Sequence, residues 1–235
     1  MDPIRGSRWY PIVLAVFVTS LIISNIIAVK LVSIFSLTLP AAVILFPVAY
    51  IVGDVLTEVY GYARARQSIW IAFGCNLLAV VVIYIARLLP PDAQWRAGAF
   101  TDPVSAGQAF DAILGFTPRL LLASFSAYLV GEFVNAFVMA KLKLVTRGRF
   151  LWTRTIGSTI LGQGLDSLIF ISIAFYGILP GDVLLAAILS QWGVKTAYEA
   201  LATPLTYLVV NRLKAVEGRD VFDRDTRFTP LRFEP

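Results

Sequence analysis

Long apolar stretches separated by short polar breaks are the dominant pattern of this 235-residue chain. An α-helix that crosses about 30 Å of hydrocarbon needs about 20 mainly apolar residues. Six stretches have that length, and they cover approximately residues 9–33, 39–60, 66–89, 119–141, 153–178 and 182–212. The pattern therefore predicts an all-α, polytopic membrane protein with six transmembrane helices.

The breaks divide the chain into one membrane domain and a tail. We expect residues 1–213 to form the six-helix domain. The longest connection, residues 90–118, mixes Gly, Asp and Pro with aromatic residues, and we expect one short amphipathic helix near residues 106–114. Residues 214–235 mix acids and bases without periodicity, which predicts a solvated, mobile cytoplasmic tail.

The basic residues are distributed unevenly between the two faces of this arrangement. Fifteen of the 20 Lys and Arg residues fall on the side of the termini, whereas Arg87, Arg96 and Arg119 fall on the other side. Lys30 and Lys195 lie within the predicted spans. The positive-inside rule therefore predicts that both termini are cytoplasmic and that residues 90–118 are external.

The composition agrees with a membrane protein and argues against a soluble protein, a nucleic-acid-binding protein and a disulfide-bonded fold. Hydrophobic residues make up 58% of the chain and charged residues 15%, against roughly 25% charged in soluble proteins. The net charge of +5 does not indicate nucleic-acid binding, because the basic residues occur in short groups beside the spans. Cys75 is the single cysteine, so an intrachain disulfide is excluded.

Enzyme signatures are absent from the sequence. The chain has no histidine, which removes His-ligated metal sites and an imidazole base. It also lacks a nucleophile elbow and a phosphate loop. We therefore expect no enzymatic activity and no cofactor.

Ionisable residues inside the predicted spans are the main functional signal. A charged side chain in hydrocarbon costs several kcal/mol unless it is paired or hydrated, so such residues usually line a polar cavity or a transport path. The acidic ones are Asp54, Glu58, Glu132, Asp166 and Glu199.

Helical spacing places these residues on shared faces with other polar groups. Positions three or four apart lie on the same side of a helix, and five of the six spans have a polar face of this kind. The third span has few polar residues, and we expect it to be the most lipid-facing. The candidate binding residues are Asn25, Tyr50, Asp54, Glu132, Asn135, Gln163, Asp166, Lys195 and Glu199.

Three features also have structural interpretations. Glu58 is close enough to the inner boundary to pair with Arg64 or Arg66. Lys195 and Glu199 are four residues apart, which favours an ion pair within one helix. Pro47 and Pro204 fall inside predicted spans, where proline removes a hydrogen-bond donor and kinks a helix.

One run of residues resembles the signature of a known family. Residues 46–61 read FPVAYIVGDVLTEVYG, which is similar to the signature of the vitamin uptake and queuosine precursor transporter family. Four further motifs match in order, and the resemblance covers nearly all of residues 9–213. These motifs lie at residues 24–30, 131–135, 162–167 and 195–199.

The resemblance implies a six-helix carrier of the bacterial inner membrane, similar in general shape to the vitamin-binding subunits of energy-coupling-factor transporters. Its implied substrates are 7-deazaguanine precursors of queuosine such as preQ0 and preQ1. The alternative is uptake of another vitamin-like solute, with or without a separate energising module. An intramembrane hydrolase using Asp54 and Asp166 is a remote alternative, and a homo-oligomer is left open.

The polar residues suit such a substrate. A deazaguanine presents adjacent N–H donors that one carboxylate accepts, and a carbonyl that amide or ammonium groups donate to. We expect Asp166 or Asp54 to hold the donor edge. Asn25, Gln163 and Lys195 would complete the polar contacts, and Glu132 and Glu199 would adjust the charge or carry a proton.

Overall fold

The computed structural model describes residues 7–34, 37–115 and 117–231, and most of them are helical. A 3₁₀ turn, Ala41–Leu45, leads into the second helix. One antiparallel hairpin joins strands β1 (Leu31–Ile34) and β2 (Leu37–Pro40). The α-helices of the described residues are α1 (Tyr10–Ile27), α2 (Phe46–Tyr60), α3 (Tyr62–Leu88), α4 (Pro103–Leu114), α5 (Pro118–Val145), α6 (Leu151–Phe175) and α7 (Gly181–Glu217).

Proline and capping residues define where several helices begin. Proline lies in the first turn of α1, α2, α4 and α5, where its missing N–H is not needed. Asp102 caps α4 by accepting hydrogen bonds from the backbone N–H groups of Val104 and Ser105. Pro47 is one of these first-turn prolines, so the predicted kink inside α2 is wrong, whereas Pro204 does lie inside α7.

The helices form one bundle with α2 at its centre. α2 packs against α1, α3, α5 and α7, and α6 packs against α5 and α7. The apolar core follows α2 and its neighbours, with Val55, Val59, Ala72 and Met139 at most 1% exposed. The central helix therefore brings its polar face into contact with α5 and α7.

Within the described part of the chain, five segments are long and apolar enough to cross a membrane: Tyr10–Ile27, Ala41–Tyr60, Tyr62–Leu88, Pro103–Val145, which contains both α4 and α5, and Leu151–Phe175. A multi-pass helical membrane protein is thereby supported. α7 is 37 residues long, roughly 55 Å, but it is more polar than the other long helices.

α3 has the most peripheral position of the five apolar segments. Of the 18 most apolar consecutive residues of α3, only 17% are buried in the protein. The corresponding share is 50% for the segment that contains α2. Leu78, Val82 and Leu88 are each more than half exposed. Among these five segments α3 has the most exposed surface, as predicted for the third span, but α7, the sixth predicted span, has only six buried residues in 37 and is more exposed still.

The hairpin corrects the first predicted span. α1 ends at Ile27, and residues 31–34 are a β-strand rather than the last turn of a helix, so the prediction of a helix to residue 33 is wrong beyond this point. Leu31 lies opposite Pro40 in the hairpin. Lys30 is exposed outside α1, and its carbonyl accepts a 2.7 Å hydrogen bond from the Ala41 N–H. It is therefore not a charge inside a helix.

Residues 7–9 and the end of α7 lie at the same end of the bundle, which we call the basal end. The Ser7 hydroxyl and the Trp9 backbone N–H each donate a 3.0 Å hydrogen bond to Oε1 of Glu217 at the end of α7. α4 packs against α3 near that helix's C-terminus, where Arg87 forms a 2.7 Å ion pair with Asp111. This helix confirms the short one predicted near residues 106–114.

The chain beyond α7 folds back over the basal end. The carboxylate of Asp223 accepts the Tyr62 backbone N–H at 3.0 and 3.1 Å, which caps α3. The ring of Phe228 packs against those of Tyr62 and Phe137. Gly61 has φ +84°, and a Cβ there would lie 2.7 Å from Val221. Residues 219–231 are therefore attached to the helix ends and not a separate tail, with Asp223 buried, although most residues from 224 to 231 are exposed as predicted.

Candidate functional site

Four helices bring acidic side chains together in the interior of the bundle. We call Asp54 of α2, Glu132 of α5, Asp166 of α6 and Glu199 of α7 the acidic cluster. Asp54 is 1% exposed and Glu199 is fully buried. Tyr50, one turn before Asp54, lies within electrostatic reach of the other three members. The polar faces of these four helices therefore converge, as their spacing predicted.

The carboxyl groups of Asp54 and Glu199 lie within electrostatic reach of one another where α2 packs on α7. Glu132 points from α5 towards α2, and its Oε2 lies 3.8 Å from the position that a Cβ of Gly53 would occupy. The absence of a side chain at Gly53 thus leaves space for the Glu132 carboxylate beside Asp54.

Lys195 forms an ion pair with Asp166 across the α6–α7 interface. The predicted ion pair between Lys195 and Glu199 within α7 is therefore not the contact that the structure shows. Asp166 comes closer because α6 packs directly on α7. The Asp166 side chain is 18% exposed, so it is more accessible than Asp54.

Several polar atoms in this region have no hydrogen-bond partner within the described protein. Buried polar groups usually have partners, so a concentration of unpartnered atoms points to a site that handles ligands or protons. The atoms are Oη of Tyr50, Oδ2 of Asp54, Oδ1 of Asn135, Oγ of Ser167, Oγ1 of Thr196 and both carboxylate oxygens of Glu199.

Close packing of α5 on α6 positions two of the candidates. A Cβ on Gly131 would lie 2.8 Å from Cβ of Asp166, and a Cβ on Gly162 would lie 2.8 Å from Cβ of Asn135. Such distances are shorter than any normal carbon contact. The two glycines therefore allow the helix approach that brings Asp166 and Asn135 into the interior.

The remaining candidates differ in their surroundings. Gln163 is 7% exposed on α6, three residues before Asp166. Asn25 donates a 2.9 Å hydrogen bond to Asn76 of α3. The structure thus gives Asn25 a partner at the α1–α3 interface, and the convergence of the first polar face on the acidic cluster stays a prediction.

Aromatic rings lie at one edge of the acidic cluster. The ring of Phe46 is 5.9 Å from that of Tyr50 and 6.3 Å from that of Tyr198, measured between centroids. Tyr198 precedes Glu199 on α7. Flat rings beside carboxylates provide both stacking surface and acceptors for a heteroaromatic base.

The interior space beside the cluster is small in this conformation. A cavity lined by Gly53, Glu132 and Asn135 has a volume of about 10 Å³, which is about the space of one water molecule. A larger groove of about 520 Å³ lies between α1 and the start of α2, but its lining is almost entirely apolar. This cavity therefore has no room for a molecule larger than water.

A second charged group at the basal end was not found by sequence reasoning. Glu58 is fully buried, and its carboxylate accepts hydrogen bonds from Arg154 at 2.9 and 3.0 Å and from Lys214 at 2.6 Å. Lys143 lies 3.4 Å from the same carboxylate. We call these four residues the basal cluster; they replace the predicted pairing of Glu58 with Arg64 or Arg66.

Asp220 links the basal cluster to the C-terminal tail. It lies 2.6 Å from Nζ of Lys143 and 2.8 Å from Nζ of Lys214. Partial burial raises the pKa of Asp220, but the hydrogen bonds from these two lysines outweigh it and hold the pKa below its ordinary value. The sequence placed these basic residues on the inner side of the membrane, but it did not indicate which acidic residues they would contact.

The described residues contain no group of three or more acidic, Cys or His side chains arranged to hold a metal ion. What the acidic cluster offers chemically is a set of buried acceptors, one ammonium group and neighbouring aromatic rings. This combination suits recognition of a small polar molecule with adjacent N–H donors.

Comparisons with known proteins agree with this chemistry. Residues 40–209 match the family described as "Putative vitamin uptake transporter". A "Probable queuosine precursor transporter" of Bacillus subtilis (strain 168) is 31% identical over 185 residues, which cover 78% of this chain and 77% of that protein. The "Queuosine precursor transporter" of Escherichia coli (strain K12) is 27% identical over 134 residues, 56% of this chain and 52% of that protein.

A third relative, a "Probable queuosine precursor transporter" of Haemophilus influenzae, is 25% identical over 134 residues, 56% of this chain and 49% of that protein. A comparison with solved structures gave no significant match.

Proposed function

Because the chain belongs to the vitamin uptake transporter family, we propose that it is a membrane carrier that imports queuosine precursors. The observation that carries this proposal is the similarity to the Bacillus subtilis protein over more than three quarters of both chains. The buried acidic cluster, built from four helices, supplies an interior site of the kind that a carrier requires.

For its position in the membrane, we propose six spans in a bacterial inner membrane, with α7 as the sixth. Residues 1–213 would form the membrane domain and residues 214–235 a cytoplasmic segment. Support comes from the position of residue 7 and the end of α7 at the same basal end, and from the basic residues gathered there, including Lys143, Arg154 and Lys214. By the positive-inside rule, the basal end is cytoplasmic and α4 is external.

For recognition, we propose that Asp166 and Lys195 contact the substrate directly. The carboxylate would accept the adjacent N–H donors of a 7-deazaguanine, and the ammonium group would donate to its carbonyl. Asp166, whose side chain is 18% exposed, is more accessible than the fully enclosed Asp54, and Lys195 is its ion-pair partner, which supports this choice. Gln163 and Asn135 are near enough in sequence and packing to add neutral contacts.

Entry of a base requires the helices around the acidic cluster to separate. The cavity of about 10 Å³ beside Glu132 is far smaller than a deazaguanine, so this space would have to widen for the base to bind there. Substrate binding would break or share the Asp166–Lys195 ion pair. This exchange of partners limits the cost of taking a charged pair apart in the interior.

Uptake into vesicles tests the proposed function. The purified protein is reconstituted into liposomes, and entry of radiolabelled 7-deazaguanine is compared with entry of labelled riboflavin and biotin. We expect saturable entry of the deazaguanine only. Entry of one of the vitamins instead would favour the alternative of another vitamin-like solute, and entry of none of them would contradict the proposal.

A further inference from the structure

Asp54 of α2 and Glu199 of α7 are two interior carboxyl groups near each other, where these two helices pack together. Asp54 is 1% exposed and Glu199 is 0% exposed. Oδ2 of Asp54 and both carboxylate oxygens of Glu199 have no donor within the described protein. An ionised carboxylate is an acceptor only, so two ionised groups in this position would have neither a donor nor relief from repulsion.

The neighbouring charges do not supply the missing donor. Lys195 is engaged by Asp166, and the positive charges at the basal end surround Glu58. Glu132 on α5 adds a further carboxylate, and the Tyr50 hydroxyl has no partner in the described protein. The groups that face the pair from α2, α5, α6 and α7 are therefore predominantly acidic.

We infer that Asp54 and Glu199 form a proton-binding site, and that a proton enters the transport cycle when α2 closes on α7. A single proton between the two carboxyl groups supplies the donor that both lack and removes one negative charge. Carboxyl pairs that share one proton in this way titrate as a unit. This inference rests on the proposed function for its transport part, but the proton site itself does not.

The position of the pair connects it to the substrate site. Glu199 is one turn from Lys195 on α7, and Asp54 is one turn from Tyr50 on α2. When the site opens to water, the pair can ionise. When it closes on the substrate, the pair takes up a proton from the side to which it was last open. Proton uptake outside and release inside would accompany import of the substrate, and one proton is imported per cycle when the empty carrier returns with the pair ionised.

Infrared spectroscopy tests the proton site without any substrate. The wild-type protein at neutral pH should show a carboxylic-acid C=O band that shifts in D₂O. Both Glu199→Gln and Asp54→Asn should remove that band, whereas Asp182→Asn, an exposed acid at the start of the same helix as Glu199, should retain it. A wild-type spectrum without such a band, or a band that both pair variants retain, would overturn the proton site.

Vesicle uptake tests the coupling. For each protein, the entry of labelled 7-deazaguanine is measured with and without an inwardly directed proton gradient, and the two rates are expressed as a ratio. We expect a ratio well above one for the wild type and for Asp182→Asn, and a ratio of one for Glu199→Gln.

A ratio of one in a wild-type protein that still exchanges internal for external substrate would overturn the coupling alone. Stimulation by a sodium gradient in place of the proton gradient would also overturn it. Absence of any exchange in the wild type would contradict the proposed function, and the infrared result would still decide the proton site.

Discussion

Gly131 of α5 and Gly162 of α6 face each other so closely that neither position has room for a side chain. A Cβ on Gly162 would lie 2.8 Å from the Gly131 carbonyl oxygen, and a Cβ on Gly131 would lie 3.2 Å from the Gly162 carbonyl oxygen. Small residues at such crossings let helix backbones approach within a membrane. This crossing positions Asp166 and Asn135, so the site depends on it.

Gly162→Ala should therefore destabilise the protein by about 1–3 kcal/mol, because the added methyl group forces α5 and α6 apart. Thermal unfolding in detergent measures the change. Gly193→Ala is the matched control, since nothing lies within 4 Å of a Cβ at that position of α7. Equal unfolding temperatures for the two variants would show that the crossing is not constrained.

Glu58→Gln should be strongly destabilising, because it leaves Arg154, Lys143 and Lys214 without the carboxylate between them. Removing one partner of a buried ion pair typically costs about 3–5 kcal/mol. This corresponds to a decrease of about 10 °C in the unfolding temperature. Asp182→Asn, at an exposed position, is the control, and a similarly small change in both variants would argue against the basal cluster as a stabilising element.

Phe228→Ala should release the C-terminal segment from the basal end. The ring packs 4.9 Å from Tyr62 and 5.4 Å from Phe137, and Lys141 lies 3.9 Å from its centroid. Loss of about 2 kcal/mol of packing would accelerate tryptic cleavage after Arg224 or Arg227 by about 30-fold. Leu231→Ala, where the side chain is 73% exposed, should leave the cleavage rate close to that of the wild type. Equally fast cleavage in all three proteins would mean that the segment is not held in solution.

Single cysteines test the proposed orientation. In a Cys75→Ser background, Thr101→Cys should react with an impermeant maleimide added to intact cells, because residues 90–118 are proposed to be external. Val216→Cys, which is exposed near the end of α7, should react only after lysis. The reverse labelling pattern would place the basal end outside.

The sequence predicted the helical architecture because hydropathy and length alone distinguish membrane helices from soluble ones. It did not predict the hairpin, since Leu31 and Val32 are as apolar in a strand as in a helix. The tail was missed for a related reason. In the sequence alone, charged residues such as Asp220 and Asp223 predict exposure to solvent. Their partners Lys143 and Tyr62 lie far away along the chain, so no local pattern indicates these contacts.

The candidate site was predicted as a set of faces but not as a set of contacts. The spacing of Tyr50, Asp54 and Glu58 is a property of one helix, and the periodicity reports it directly. The pairing of Lys195 with Asp166 depends on how α6 crosses α7, which no local pattern contains. The hydrogen bond from Asn25 to Asn76 likewise depends on how α1 packs against α3, which the sequence pattern does not contain.

Equilibrium binding of labelled 7-deazaguanine to the purified protein tests the central claim most directly. Asp166→Asn replaces an acceptor by a donor that faces the donors of the base. The lost charge-assisted hydrogen bonds are worth about 1.5–3 kcal/mol, so affinity should decrease on the order of 10- to 100-fold while the protein still folds. Asp182→Asn should bind like the wild type. Wild-type affinity in Asp166→Asn would contradict the assignment of this carboxylate to the substrate, and absence of binding by the wild-type protein would contradict the proposed function itself.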